Sequence, residues 1–357
     1  MKTSSNFYHD KPIFGFDIGF SSLKVMQIEQ KDKAKQTKIT GYGNVGFDPT
    51  VLKDGVIIDP KSLAGSAQDL FKRQVVGEIT TRRVVMGVPA SRTYSRIIKL
   101  PKLANKELAD AVKLEAEQYI PIPLDQLYLD YQVIGKTDQE MELFAVAAPK
   151  KIIDSYSLLA DLLGLEVVAM ETTVSATSRL FTHTEFSDEP TILIDFGSIS
   201  TDITIYDKSM VVTGTVPSGS DNYTLNIARK LGVTNEEAST IKTKYGLNVS
   251  KKQKEIAEAL RPMLEQLLKE IRRMIRYYEE RSGSEKKISQ VVTMGGGASM
   301  PGLSGHLTEL LRLPARMIDP WQHINYAKLA LPNANGRSVY ATVCGLSLVK
   351  PKEIFTT

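Results

Sequence analysis

The chain has 357 residues, of which 42% are hydrophobic, 24% charged and 7% aromatic, an ordinary globular balance with length enough for two or three cores. The 45 basic residues against 41 acidic ones leave a net charge of only +4, spread over the whole length, which does not argue for a nucleic-acid scaffold with its concentrated basic stripe. The single cysteine, Cys344, excludes an internal disulfide framework and fits a reducing compartment. No apolar run approaches the ~20 residues that span a bilayer. The opening MKTSSNFYHDKP lacks the apolar stretch of a secretory signal. A cytosolic, multidomain protein is expected, one that reaches a membrane through a partner or a surface contact.

In chain order, Ile13 to Ile18 and Leu23 to Glu29 are β-rich runs joined by Gly-Phe-Ser-Ser, the pattern of a hairpin. Lys61 to Gln74 reads as a helix, and Arg83 to Val88 as a strand stopped by Pro89. From Thr93 the pattern changes. A strand ends at Pro101, and a helix follows from Asn105 to about Tyr119, with Leu108, Ala111, Val112 and Ala116 at helical spacing. Pro121 and Pro123 cannot continue it. Leu127 to Gly135 and Glu142 to Ala148 read as strands, and Lys150 to Leu163 as a helix. Residues 93–164 thus form a small inserted α+β module. Leu165 to Ala169 leads into a helix from Glu171 to Phe181, and a second hairpin joins Ile192 to Asp195 with Thr201 to Tyr206. A long helical stretch spans Lys251 to Arg281, its apolar stripe traced by Ile256, Leu260, Leu264, Leu267, Leu268, Ile271 and Ile275. Pro262 is expected to kink or interrupt that stretch. Val291 to Met294 is a strand that runs into Gly295-Gly296-Gly297, a helix starts near Pro301, and a last helix covers Val339 to Val349.

The two hairpins share one grammar. Asp17-Ile-Gly19-Phe-Ser21-Ser22 and Asp195-Phe-Gly197-Ser198-Ile-Ser-Thr201 each give an apolar strand, Asp-x-Gly, small hydroxyl residues and a second strand. They lie half the chain apart, which suggests two similar halves rather than a solenoid. Glycine lets the backbone turn and approach an anion closely, and successive amides with Ser or Thr hydroxyls form an anion-binding nest. An aspartate beside phosphate makes sense if hydrated Mg²⁺ lies between them, since Mg²⁺ prefers oxygen ligands and keeps its waters. Lys24 points to the same face as Ser22 and offers a point charge to the β- and γ-phosphates. One such hairpin is commonly just a glycine turn; two matching copies favour the phosphate reading. The triple glycine after a buried strand lets the backbone lie flat against a planar group or ribose. It is neither a Rossmann fingerprint nor a Walker A loop. Small residues inside two helices (Ser175, Ala176 and Ser178; Ala341, Thr342 and Gly345) permit a close helix crossing. The four histidines are scattered without metal-ligand spacing. Arg272, Arg273 and Arg276 sit among Glu270, Glu279 and Glu280 as a solvated, paired face.

Taken together, these motifs resemble the actin-like ATPase superfamily in the family's own order. The phosphate hairpins match at Phe14 to Met26 and Leu193 to Tyr206, the adenosine motif at Val291 to Leu303, and the two connecting helices at Glu171 to Phe181 and Val339 to Val349. The resemblance implies an α/β fold of duplicated, ribonuclease-H-like halves around a nucleotide cleft. The insertion resembles the SHS2-like subdomain 1C of the FtsA/PilM branch. The implied layout is residues 12–92 with 165–190 as the first half and 93–164 as the insertion. Residues 191–350 are then the second half, with a helical subdomain around 222–284, and 1–11 and 351–357 are tails. Within the branch, compact length, the absence of a C-terminal amphipathic helix and the stretch Pro217 to Gly232 followed by Glu236-Glu237-Ala238 resemble the PilM family of type IV pilus assembly. FtsA-like, filament-forming division proteins are the alternative.

That resemblance implies ATP and Mg²⁺ as ligands. Asp17 and Asp195 would hold hydrated Mg²⁺, and Gly19, Ser21, Ser22, Lys24, Gly197, Ser198 and Thr201 would grip phosphate. Gly219 would lie near the nucleotide, and Lys242, Gly295, Gly296, Gly297 and Ser299 would line the nucleoside side. Glu171 would position the attacking water. Two departures, Ser239 where the branch has glutamate and Ile199 where relatives often have glycine, imply a weaker nucleoside grip and at most slow hydrolysis. The implied partners are the cytoplasmic N-terminal tail of the membrane protein PilN and other inner-membrane or motor components of the pilus, with self-association. No nucleic acid and no membrane span are expected, only a peripheral place at the inner face of the cytoplasmic membrane.

Overall fold

The computed structural model describes residues 11–31, 36–184, 189–282, 286–350 and 354. The expected tails, 1–11 and 351–357, lie almost wholly outside these. Two sheets organise the chain, and each grows from one of the predicted hairpins. In the first sheet, Phe14–Ile18 pairs antiparallel with Ser22–Lys31, which pairs with Gln36–Gly46; on its other side it runs parallel to Arg83–Val88, and that strand parallel to Glu166–Thr172. In the second, Thr191–Phe196 pairs antiparallel with Thr201–Asp207, which pairs with Ser209–Val216; on its other side come the parallel strands Gln290–Met294 and Ala315–Met317. The same five-strand order occurs twice, so the repeat read from Asp-x-Gly is a repeat of whole sheets. A two-residue strand, Val76–Gly77, is added to the first copy beyond Gln36–Gly46.

The central strands are buried along almost their whole length because both faces are covered. Phe14, Phe16 and Ile18 pack with Leu23, Val84 and Met86 in one core, and Ile192, Ile194 and Phe196 with Ile203 and Ile205 in another. The helices Thr173–Thr184 and Ala341–Ser347 cross between the two sheets. Gly345 makes that crossing possible, because a β-carbon there would overlap the carbonyl of Ala176. Ser347 ties the second helix to the first sheet, donating to the carbonyl oxygen of Met26 at 2.8 Å.

The insertion is a three-stranded sheet, Tyr94–Pro101, Glu140–Pro149 and Leu127–Lys136 in spatial order, with Asn105–Tyr119 on one face. Leu108 and Val112 on the helix bury against Ile98, Leu100, Met141 and Leu143. The helix Lys150–Leu163, expected within the insertion, belongs by packing to the first half. Its Ile152, Tyr156, Leu159 and Ala160 enter the core around Phe14 and Phe16. Four buried positions on one stripe of a single helix decide its allegiance, and the sequence neighbour loses to the apolar one.

The long helix is not interrupted at Pro262, one of the two outcomes expected there. Gln253–Ser282 runs unbroken through Pro262. A proline inside a helix costs on the order of 3 kcal/mol. Against that, Ile256, Leu260, Leu264, Leu267, Leu268 and Ile271 are all buried along the stripe, each contributing roughly 2 kcal/mol. The stripe wins, and the proline ring sits on the exposed side. Two shorter helices, Ser220–Leu231 and Asn235–Lys244, pack with it over the second sheet.

Candidate functional site

A cleft of about 400 Å³ opens between the two sheets, floored by the turns of both hairpins. Asp17, Gly19, Ser21, Ser22 and Lys24 line it from one side, and Asp195, Gly197, Ser198, Gly295, Gly296, Gly297, Ser299 and Lys242 from the other. The structure therefore brings together all but three of the site residues named from sequence.

Register explains what the floor carries. In the first hairpin Asp17 stands opposite Lys24, and in the second Asp195 stands opposite Asp202. The equivalent positions of the repeat thus hold an ion pair in one copy and two carboxylates in the other. Lys24 donates to Asp17 at 3.0 Å, rather than reaching freely into the cleft. Asp195 has no such cation opposite it. Burial, with the charges of Asp202 and Asp17, pushes its carboxyl up to about 7, against the opposing pull of Lys24 and of the Thr342 hydroxyl that donates to it at 3.3 Å. Asp202 is pushed up to about 6, chiefly by burial, although the hydroxyls of Thr215, at 2.6 Å, and Thr173, at 3.5 Å, both donate to it. Carboxylates forced together in this way are a poor arrangement for an empty floor and a good one beside a divalent cation.

The glycine-rich turn makes room for this. Gly295 has φ of 83°, and a β-carbon on it would collide with the Asp195 carboxylate and the Phe196 carbonyl. Its carbonyl accepts from the Ser338 hydroxyl at 3.0 Å. The turn of the second hairpin is braced from behind: Ser220 and Asp221 at the start of Ser220–Leu231 donate their amides to the carbonyls of Gly197, at 2.9 Å, and Ser198, at 2.8 Å. The first amides of that helix are spent on holding the loop.

Three expected residues do not line the cleft. Thr201 is buried, and its hydroxyl donates to the carbonyl of Ser218 at 2.7 Å. Gly219 lies behind the loop, where a β-carbon would overlap the carbonyl of Ser198. Glu171 shares a rung of the first sheet with Asp17, but Gly87 stands between them, and the space above Gly87 is taken by Leu346. Two strand spacings, about 10 Å, separate the two positions. The Glu171 carboxylate instead accepts from Nη1 and Nη2 of Arg179, at 2.5 and 2.7 Å, and Nη1 also donates to the carbonyl of Gly345 at 3.0 Å. This ion pair braces the helix crossing.

Sequence reading missed Asp202 and Thr173, both of which line the cleft. The signal for Asp202 was present, since a hairpin through Phe196 to Ser200 fixes which residue faces Asp195. Lys242 also lines the cleft, but its ammonium is already engaged. It donates to the Ser220 carbonyl at 2.8 Å, the Ser220 hydroxyl at 2.6 Å and the Thr224 hydroxyl at 2.7 Å. Burial lowers its pKa, opposed by the charge of Asp221.

No helix among the described residues is long and apolar enough to cross a membrane. MreB5 of Spiroplasma citri bound to ADP superposes with a TM-score of 0.56 at 11% identity, covering 98% of this chain and 100% of that one. A PilM–PilN type IV pilus biogenesis complex gives a TM-score of 0.79 at 22% identity, covering 94% and 97%. These likenesses establish an actin-like fold. In sequence, the cell division protein FtsA of Bacillus subtilis is 24% identical over 348 residues, 85% of this chain and 78% of FtsA. A family model described as type IV pilus assembly protein PilM matches residues 15–350. With the duplicated sheets, the insertion and nearly the whole length accounted for, the chain belongs to the PilM family of type IV pilus assembly proteins.

Proposed function

We propose that the chain is a nucleotide-gated adaptor of type IV pilus assembly. ATP with Mg²⁺ occupies the cleft, and the cytoplasmic N-terminal tail of PilN docks on the surface. The angle between the two halves couples one to the other. The observation that carries the nucleotide reading is the pair of matched hairpins facing one cleft, with Asp195 and Asp202 opposed and their carboxyls pushed up.

The residues present fit the ligand. Asp17 and Asp195 would hold hydrated Mg²⁺. Gly19, Ser21, Ser22, Gly197 and Ser198 would face phosphate, with Lys24 beside them. Gly295, Gly296, Gly297 and Ser299 would face the nucleoside, and Lys242 would exchange one of its internal hydrogen bonds to do so. Bound Mg–ATP would supply the charge that draws the two hairpins to a common centre. Glu171 braces the helix crossing, so the carboxylate positioned to orient water is Asp202, and hydrolysis is slow at most. Support for PilN comes from the solved complex, which this chain matches over almost its full length. Such a protein works at the cytoplasmic face of the inner membrane, held there by its partners.

A calorimetric titration with a synthetic PilN N-terminal peptide, with and without saturating Mg–ATP, tests the coupling. The peptide should bind, and its affinity should change with nucleotide by the same factor by which it changes nucleotide affinity. An affinity that is identical in both conditions would make the chain a plain scaffold. The similarity to FtsA favours a second reading, an ATP-dependent filament, which a concentration-dependent pelleting assay with ATP separates from the adaptor.

A further inference from the structure

A second trough, of about 430 Å³, lies away from the nucleotide cleft, between the inserted sheet and the second half. One wall is the strand Tyr94–Pro101, and the other is Ser209–Val216 with the C-terminal part of the long helix. The walls touch where the hydroxyls of Ser95 and Thr213 meet at 3.2 Å. Both wall strands are the outermost strands of their sheets, so each has a row of backbone groups with no sheet partner among the described strands. The floor between them is apolar, built from Ile97, Ile134, Phe144, Met210 and Met274.

The rim is basic. Arg96, Lys99, Arg273, Arg281 and Lys286 line the trough, against the carboxylates of Glu142 and Asp207. Lys99 takes Glu142 at 2.8 Å and Lys286 takes Asp207 at 2.7 Å, so both acids of the lining are already neutralised. Arg273 pairs with Glu270, its neighbour on the helix. Arg96 stands over the Tyr119 ring and Arg281 over the Tyr277 ring, and among the described residues neither has a carboxylate partner. They come from opposite walls, one from the inserted sheet and one from the second half.

We infer that this trough is a docking site for an extended, acidic segment of a partner protein. Unpartnered strand edges offer main-chain hydrogen bonds to an extended chain rather than to a helix. The apolar floor takes one or two of its side chains, and Arg96 and Arg281 select acidic neighbours on either side. Because the two walls belong to different halves, such a segment would clamp them. The docking itself does not depend on the nucleotide reading, since the trough shares no residue with the cleft.

The test is a random nonapeptide display library panned on the full chain without nucleotide. Enriched peptides are then synthesised with a fluorescent label and titrated by anisotropy. The expected result is enrichment of sequences with several Asp or Glu around one or two apolar residues. Their affinity should weaken at least about tenfold in the Arg96→Glu/Arg281→Glu double variant and survive in Arg96→Lys/Arg281→Lys. The lysine pair guards against a fold defect, and Mg–ATP titration of the same preparations reports separately on the cleft. Enrichment of neutral or basic peptides, no enrichment, or acidic binders indifferent to the charge reversal would overturn the inference.

Discussion

The crossing of Thr173–Thr184 and Ala341–Ser347 joins the two halves, so Gly345→Ala probes the joint on which any gating depends. A β-carbon at this position would overlap the backbone carbonyl of Ala176, which cannot swing aside as a side chain could. Overpacking of this kind costs roughly 1–3 kcal/mol. If the helices part to admit the methyl group, the bond from Arg179 to the Gly345 carbonyl, now 3.0 Å long, is lost as well. A hydrogen bond from a charged donor contributes about 1.5–3 kcal/mol. Alanine returns about 1 kcal/mol through its better helix propensity. The net loss should be about 1.5–5 kcal/mol, read as a lower midpoint in equilibrium urea unfolding. Gly305 provides the control: it too lies within a helix, Leu303–Leu311, but a β-carbon there meets nothing within 4 Å. Gly305→Ala should therefore be neutral or stabilising by up to about 1 kcal/mol. A Gly345→Ala variant as stable as the parent, with Gly305→Ala behaving as stated, would refute the close-crossing argument.

Other expectations follow from the same geometry. Pro262→Ala should stabilise the protein by about 1–3 kcal/mol, because it restores a helical hydrogen bond on an exposed face; a lower urea midpoint would contradict this. Glu171→Gln should leave Mg–ATP affinity within about twofold while lowering thermal stability by on the order of 1–3 kcal/mol, since Glu171 braces Arg179 rather than the cleft. Loss of ATP affinity without loss of stability would return Glu171 to the site. The carboxyl of Asp195 lies at about 7 in the folded, ligand-free protein, well above its unfolded value. The folded state therefore holds a proton that the unfolded state has released, and stability falls as pH rises from about 4 to 7, then levels off. In Asp195→Asn that slope should flatten, so the variant's advantage over the parent grows across this window. Urea midpoints at three pH values check it, and a difference between the two proteins that does not change with pH would contradict the assigned environment.

Much of this fold is legible in the sequence where a periodic apolar pattern meets a sharp stop. Asn105–Tyr119 and Lys150–Leu163 have the ends that the prolines and the glycine around them dictate, the latter closing on Gly164 at a φ of 65°. The duplication is legible because Asp-x-Gly with small hydroxyl residues recurs between two apolar strands, half the chain apart. The strand Gln36–Gly46 was not, since Gly41, Gly43 and Gly46 dilute its alternation and its place is set by pairing with Ser22–Lys31. Packing also overrides local grammar. Pro262 reads as a kink or a break, and the buried stripe on either side carries the helix through it without a break. Lys150–Leu163 reads as part of the insertion, and its apolar face assigns it to the first core. At the site, the glycines and the strand-end aspartates can be read directly, because their spacing is their chemistry. Asp202 was within reach of the predicted hairpin, which sets it opposite Asp195, whereas the place of Glu171 depends on pairing between strands distant in sequence, which only the fold reveals.

The central claim is that the two hairpins form one Mg–ATP site, and isothermal titration of Mg–ATP into the parent chain and into Asp195→Ala tests it most directly. The account predicts saturable binding to the parent, weakened at least about tenfold in the variant while its unfolding remains cooperative. Equal affinity in both proteins would contradict the assignment of the cleft.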